Sequence, residues 1–260
     1  SQMEKVKGLN WASFANREKT PTKYSDYHQT LLSSGNNGPT NLGDSNGFPG
    51  MHGKAATTIC VQGNRIALGF ESINRIQTDG NTGGLSLLGP QIGVNSKDGR
   101  SGNKMIAAPT ASAFSPDGKT AYFTAYLWHF SYVDSGLTGN IPVVMKINYE
   151  SNDPATVFAG SIKQEEYGSG PEQFNVPSSV DTDANGNVYV SDFCNDRVQI
   201  FDNSGKLLKS LITSKPARIL IHKVTNEIYV FSYPLVGVPA KVQAEQKYEK
   251  NSPLLVLIQN

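Results

Sequence analysis

Cysteines and charged residues are scarce in this sequence. Its two cysteines, Cys60 and Cys194, are too few for a disulfide framework and lack the C-x-x-C and C-x-x-C-H spacings of zinc ribbons and covalently attached haem. We expect each to be a small buried side chain. Lys and Arg number 23 against 22 Asp and Glu, a net charge of +1, so the sequence predicts no nucleic-acid partner.

Long apolar runs and the common catalytic motifs are also missing. No run approaches the roughly 18 apolar residues that cross a bilayer, so we expect no membrane span. There is no nucleotide motif, because no Gly-rich phosphate loop follows a strand. The H-E-x-x-H, G-x-S-x-G and D-x-D-x-D-G patterns are absent as well. The sequence therefore leaves the cofactor unknown.

Turn-forming residues are abundant instead. The 25 Gly, 14 Pro and 22 Asn make up close to a quarter of the 260 residues. Gly and Pro disfavour helix interiors, and Asn prefers turns and caps. The composition therefore favours an all-β fold with short strands.

The clearest strand pattern spans residues 170–211. It runs through G-P-E-Q-F-N-V-P, G-N-V-Y-V-S-D and N-D-R-V-Q-I-F-D to a closing Gly turn, with an Asn-Gly hairpin signal between the first two strands. The same order of short strands and turns recurs at 55–79, at 111–147 and at 217–258. Such repeats of four antiparallel strands are typical of β-propeller blades, which stack radially on one another.

The repeat resembles the NHL repeat, most closely at residues 170–211 and less closely at 55–79. The resemblance implies an all-β β-propeller of four-stranded antiparallel blades. Four blades are visible, and we expect them to form part of a six- or seven-bladed ring. The blades are predicted at residues 53–100, 105–160, 170–213 and 215–260. Residues 1–52 are predicted to form an irregular N-terminal arm.

The fourth blade is incomplete, because no fourth strand follows its apolar third strand at 254–258. Natural sheets normally cover such an edge. Three explanations are open: the sequence is the first part of a longer chain, an N-terminal strand closes the last blade, or another subunit supplies the missing blades. We favour the first. The expected partner is thus either a protein or the remaining blades of the same chain.

Candidate site residues cluster in the loops around the predicted channel mouth. These loops enter each innermost strand or leave each second strand of a blade. The candidates for binding a ligand or partner are Tyr126, Trp128, His129, Asp192, Asn195 and Tyr233. The candidates for catalysis are His52, His129, Tyr126 and Arg218.

Two of these candidates are histidines, His52 and His129. Imidazole titrates near neutral pH and is the commonest metal ligand, so this pair is a candidate to hold a metal or to act as acid and base. Local hydrogen bonding in two separate loops is the alternative interpretation.

An aromatic run opens a predicted insertion at residues 126–140. Tyr126 and Trp128 on a rim loop suit stacking on a sugar ring or anchoring a protein, and packing within the blade is the alternative. Farther along, Asp192, Asn195 and Arg197 match the D-x-x-N-x-R pattern of the NHL repeat. The resemblance implies that these polar groups hold the loop and the neighbouring blade together.

Function follows less directly than fold, because propellers host many activities. NHL-like propellers occur in signalling proteins, as secreted lyases and hydrolases, and as scaffold subunits. Low charge and an absence of N-x-S/T sequons fit a bacterial periplasmic or secreted protein. We predict an extracytoplasmic scaffold that binds a ligand or protein as a non-catalytic part of a larger assembly. The alternative is a propeller lyase or hydrolase with its site at the channel mouth.

Overall fold

The computed structural model describes residues 56–69, 71–97, 104–128, 141–232 and 254–258. Within these ranges the chain forms sixteen β-strands in four antiparallel sheets. The first sheet contains β1 (Thr58–Gln62), β2 (Arg65–Gly69), β3 (Ser72–Gln77) and β4 (Leu88–Gln91). The second contains β5 (Val94–Lys97), β6 (Lys104–Phe114), β7 (Thr120–Trp128), β8 (Val143–Asn148) and β9 (Thr156–Gly160).

The third sheet contains β10 (Pro177–Thr182), β11 (Val188–Asp192), β12 (Arg197–Phe201) and β13 (Leu207–Ile212). The fourth contains β14 (Pro216–Ile221), β15 (Ile228–Ser232) and β16 (Leu254–Ile258). Two 3-10 turns, Gln164–Glu166 and Phe193–Asn195, lie in connections. Among the described residues, no helix has the length and apolar character needed to cross a bilayer.

Each sheet is a meander, because every strand pairs with the next one along the chain. This arrangement confirms the predicted all-β fold of blade-like antiparallel sheets. The fourth sheet has three strands within the described residues. The predicted N-terminal arm, residues 1–52, lies outside them.

One strand joins a different sheet from the one expected. β5 falls in the predicted first blade, residues 53–100, but its Val94 pairs with Ala107 of β6. The chain turns between β4 and β5, where the amides of Ile92 and Gly93 both donate to the Glu71 carbonyl at 2.8 Å. Because β6 begins as early as Lys104, its first residues have ladder groups that β5 satisfies.

In two hairpin turns, an aspartate side chain accepts hydrogen bonds from backbone amides of the same turn. In the predicted Asn-Gly turn, Asp183 Oδ1 accepts hydrogen bonds from the amides of Asn185 (2.9 Å) and Asn187 (2.8 Å). Gly186 has φ +87°, a left-handed conformation that favours glycine. The β12–β13 turn repeats the device, since Asp202 Oδ1 accepts from the amides two and four residues later. Local sequence thus fixes the hairpin registers.

Three apolar cores lie between successive sheets. Side chains such as Ala67, Ile73 and Phe123 fill the core between the first and second sheets. Tyr122, Phe158, Val190 and Phe201 contribute to the core between the second and third. Tyr189, Ile200, Ile219 and Val230 contribute to the core between the third and fourth. The sheets therefore stack face to face in chain order, as propeller blades do.

The two cysteines differ in exposure. Cys60 is buried in the first core, and burial raises the pKa of its thiol to about 12. Cys194 is only partly buried. The expectation of a small buried side chain is therefore met fully by Cys60 and only in part by Cys194.

A buried arginine forms hydrogen bonds that join the first sheet to the second. Arg75 of β3 is 1% exposed, and its guanidinium donates to the carbonyls of Ser86 and Leu88 beside it. The same group donates to the carbonyls of Tyr149 (3.1 Å) and Ser151 (2.7 Å) in the β8–β9 connection. Asn152 Oδ1 accepts a further bond at 2.6 Å. One side chain thus satisfies acceptors on two sheets.

We expect Arg75→Met to lower the free energy of unfolding by about 3 kcal/mol, because it leaves several buried carbonyls without donors. Chemical denaturation of the full chain measures this loss. Lys209→Met, on an exposed position of β13, is the control and should change stability little. An unchanged denaturation midpoint in Arg75→Met would show that water replaces the guanidinium without cost.

Candidate functional site

Several predicted site residues lie outside the described part of the chain. They are His52, His129 and Tyr233, and the side chain of Trp128. The hypotheses of a metal site or an acid–base pair at the two histidines therefore stay predictions. Within the described residues, no cluster of three or more His, Cys, Asp or Glu side chains is placed to hold a metal ion.

Tyr126 is a core residue of the second sheet. It is fully buried, and its hydroxyl donates to the carbonyl of Ile92 at 3.0 Å. Burial raises the pKa of this phenol well above its ordinary value of 10. The hydroxyl therefore supports packing, which is the alternative interpretation of the aromatic run.

The predicted insertion begins later than residue 126. β7 continues to Trp128, and Tyr126 pairs with Pro109 while Trp128 pairs with Ala107. The long β6 provides the ladder that keeps these residues in a strand. Tyr126 and Trp128 consequently belong to a sheet and not to a rim loop.

Arg218 lies in β14, the first strand of the fourth sheet. It occupies an exposed position of β14 between the buried Ala217 and Ile219. Tyr126, in contrast, lies in the core between the first and second sheets. The two described candidates for catalysis thus have different surroundings, and the Tyr126 hydroxyl is already hydrogen-bonded.

Asp192 is the centre of a buried polar network at the end of β11. Its side chain is fully buried, and Oδ1 accepts from the Asn175 amide at 2.7 Å. Oδ2 accepts from Asn195 Nδ2 and Arg197 Nε, each at 2.8 Å. Burial raises the pKa of the Asp192 carboxyl, and the three donors oppose that rise. The carboxylate is therefore occupied by groups of its own blade.

The other donors of this network bind the segment that enters the third sheet. Arg197 Nη1 and Nη2 donate to the carbonyls of Ser169 and Gly170, each at 2.9 Å, and Nη2 also donates to Gln173 at 2.8 Å. Asn195 Nδ2 donates to the Gly168 carbonyl at 2.8 Å. Residues 168–175 connect β9 to β10, so the network ties the third sheet to the connection from the second. This is the role that the resemblance implies.

A cleft lies at the opposite end of the sheets from the predicted channel mouth. It has a volume of about 660 Å³ and is bounded by the β6–β7, β8–β9, β10–β11 and β12–β13 connections. Its lining includes Asp117, Lys119, Tyr122, Lys146, Asp153 and Asn185. The sequence analysis missed this cleft because it placed every candidate residue in the loops at the other end of the blades.

Tyr122 and Lys146 form the inner wall of the cleft. They are directly opposite each other on β7 and β8. The Tyr122 ring meets Phe158 edge to face with centroids 4.9 Å apart, and Lys146 Nζ lies 5.5 Å from the Phe158 ring centroid. Burial, with a smaller contribution from the negative charge of Asp117, raises the pKa of the Tyr122 phenol to about 12. The phenol is therefore neutral at physiological pH.

A second surface feature is the outer apolar face of the first sheet, defined by Ile59, Val61 and Leu88. Strand register places Ile59 and Leu88 on one face through the paired residues Leu68 and Asn74. Ile59 and Leu88 are each 59% exposed, and Val61 is 53% exposed. The opposite face of this sheet packs in the first core.

Comparison with known proteins supports the fold. A family model for the NHL repeat matches residues 174–201. This segment contains most of the third sheet and the Asp192 network. A search of curated proteins finds no match.

Solved structures with similar folds share little sequence with this chain. Hydrazine synthase of Kuenenia stuttgartiensis is 12% identical with a TM-score of 0.41, over 69% of this chain and 42% of that one. Regucalcin, a calcium-binding protein from Agrobacterium tumefaciens, is 14% identical with a TM-score of 0.35, over 73% and 72%. A gluconolactonase from Xanthomonas campestris is 14% identical with a TM-score of 0.32, over 64% and 65%. The chain thus spans less than half of the hydrazine synthase chain, and no activity is transferred from these proteins.

The Asp192 network provides a test of its structural role. We expect Asp192→Ala to lower the free energy of unfolding by about 3 kcal/mol, because it removes the buried carboxylate that accepts from Asn175, Asn195 and the partly buried Arg197. Denaturation followed by tryptophan fluorescence measures the loss. Glu166→Ala, which breaks the exposed Lys163–Glu166 pair, is the control and should leave stability unchanged. Equal stability of the two variants would contradict the structural role.

Proposed function

We propose that this NHL-repeat β-propeller chain is a binding scaffold that acts, without catalysis, as part of a larger extracytoplasmic assembly. The observation that carries the proposal is the outer apolar face of the first sheet. Three aliphatic side chains there, Ile59, Val61 and Leu88, are each more than half exposed. Ile59 and Val61 lie on β1 and Leu88 lies on β4, and exposed apolar side chains of this kind are used in sites of protein interaction.

The second and third sheets show how the apolar face of a sheet is covered in this protein. The second and third sheets each pack on a neighbouring sheet through both faces, and their cores contain fully buried side chains such as Phe123 and Phe201. Within the described ranges, the first sheet shares a core only with the second sheet, through one of its faces. Covering the exposed part of an aliphatic side chain stabilises an interface by about 1 kcal/mol or more. A flat apolar protein surface is therefore the partner that suits this face.

The fourth sheet has a related outward surface. Leu220 of β14 is 43% exposed, and the exposed Arg218 lies on the same face two residues earlier. Both end sheets of the stack thus have outward aliphatic side chains. This supports an assembly in which further sheets or a partner protein continue the stacking at either end.

Composition supports the proposed compartment. Only 17% of residues are charged, and none of the 22 Asn residues stands in an N-x-S/T sequon. These features fit a periplasmic or secreted bacterial protein. Fractionation of source cells, followed by detection of the chain with a specific antibody, tests this location. Recovery in the cytosolic fraction alone would refute it.

Native mass tests the assembly. We expect the protein from its native source to have a native mass well above the denatured mass of its own chain. The double substitution Ile59→Lys with Val61→Lys should reduce the native mass to that of the chain, because two buried ammonium groups oppose association. Light scattering coupled to size-exclusion chromatography measures both masses.

Val224→Lys is the matched control. Val224 is 85% exposed but lies in the β14–β15 turn, away from the outer apolar face, so its substitution should leave the native mass unchanged. A wild-type protein whose native mass equals its denatured mass contradicts the proposal. An equal loss of native mass in the control and the double variant would contradict the assignment to this face.

A further inference from the structure

The cleft between the second and third sheets has the dimensions of a small-molecule site. Its volume of about 660 Å³ lies within the range of roughly 300–1,000 Å³ that is typical of such sites. Turns from both sheets form its walls, and the Asn-Gly turn of the third sheet contributes Asn185 and Gly186. The cleft is distinct from the outer apolar face, so an inference about it does not depend on the proposed assembly.

A tyrosine in the wall of the cleft is the first sign of a ligand. Tyr122 is 2% exposed and lines the cleft, and its hydroxyl makes no hydrogen bond with another group in the described residues. The hydroxyl is therefore available to donate to a ligand in the cleft and to accept from it. The phenol is fixed in position by its edge-to-face contact with Phe158.

Three other buried tyrosines show the usual pattern. Tyr126 donates to the Ile92 carbonyl at 3.0 Å, and Tyr149 donates to the Ile66 carbonyl at 3.1 Å. Tyr189 donates to Asp183 Oδ2 at 3.1 Å. Tyr122 differs from these three in two ways: its hydroxyl lacks a partner, and it lines a cleft.

Charged groups near Tyr122 are also available to a ligand. Asp117 accepts the Ser115 hydroxyl and the Lys119 amide through Oδ1 alone, which leaves Oδ2 available. Among the described residues, the ammonium groups of Lys119 and Lys146 pair with no carboxylate. The cleft thus offers hydrogen-bond donors and acceptors side by side.

The balance of charge indicates the class of ligand. Three carboxylates, those of Asp117, Glu150 and Asp153, and two ammonium groups line the cleft, and Glu150 is already paired with Arg65. A ligand of either charge would face groups of its own sign. A neutral ligand with many hydroxyls can donate to the carboxylates and accept from the phenol and the ammonium groups.

We propose that this cleft binds a neutral saccharide. The Tyr122 hydroxyl and Lys146 Nζ donate to ring or hydroxyl oxygens of the sugar, and Asp117 Oδ2 accepts from one of its hydroxyls. Asn185 completes the polar wall from the third sheet.

Nuclear magnetic resonance on the full chain tests the site directly. Glucose, galactose and N-acetylglucosamine are titrated separately into protein labelled with ¹³C-tyrosine and ¹⁵N. We expect at least one sugar to shift the Tyr122 ring signal and the amide signals of residues 117–119 along one saturable curve. Tyr122→Phe, which keeps the ring and removes the hydroxyl, should weaken the affinity read from the amide signals roughly tenfold.

Two further variants test whether the affinity depends on the cleft, and one further ligand tests whether the site prefers a neutral sugar. Tyr167→Phe removes the hydroxyl of an exposed tyrosine outside the cleft and should leave the affinity unchanged. Lys146→Met should weaken binding without loss of the fold. The proposal is overturned by no saturable shift with any of the three sugars, or by equal affinity in wild type and Tyr122→Phe. Tighter binding of glucuronate than of the neutral sugars overturns the neutral class.

Discussion

Face-to-face stacking of sheets is the constraint on which the rest of this structure depends. A four-stranded meander with apolar side chains on both faces cannot bury them alone, so each sheet requires a neighbour. The stacking explains the three separate cores, because each core belongs to a pair of sheets and not to one sheet. It also explains the two surface features. The outer apolar face belongs to the face of the first sheet that is turned away from the first core, and the cleft lies among turns of the second and third sheets.

Two arginines, the buried Arg75 and the partly buried Arg197, add hydrogen bonds of defined direction to this apolar stacking. Arg75 and Arg197 occupy comparable third-strand positions of the first and third sheets, and each binds carbonyls of a connecting segment. Apolar contacts alone tolerate sliding of one sheet over the next, whereas a planar guanidinium accepts few geometries. Arg197 also has a carboxylate partner, Asp192, while the described acceptors of Arg75 are neutral. The first and third sheets thus both use a third-strand arginine to bind a connecting segment, but the acceptors of the two guanidinium groups differ.

The parts of the fold that depend on local sequence could be predicted, and those that depend on distant pairing could not. The Asn185-Gly186 turn and the D-x-x-N-x-R pattern act over a few residues, so their signals are visible in the chain itself. The extension of β7 through Trp128 depends on β6, which begins more than twenty residues earlier. The position of Tyr122 in the wall of the cleft depends on packing against Phe158, and a tyrosine in a strand has no sequence signal for such a position.

Stacking in chain order also determines how the molecule opens. Contacts between sheets join the first to the second, the second to the third and the third to the fourth, so the cooperative unit is a pair of neighbours. Among the described residues, the first sheet shares one core with a neighbour, whereas the second and third sheets each share two. We therefore expect the second and third sheets to open last, and amide hydrogens in β7 and β11 to exchange with solvent more slowly than those in β1 and β15. Any partner that covers an end sheet would convert this graded opening into a single transition.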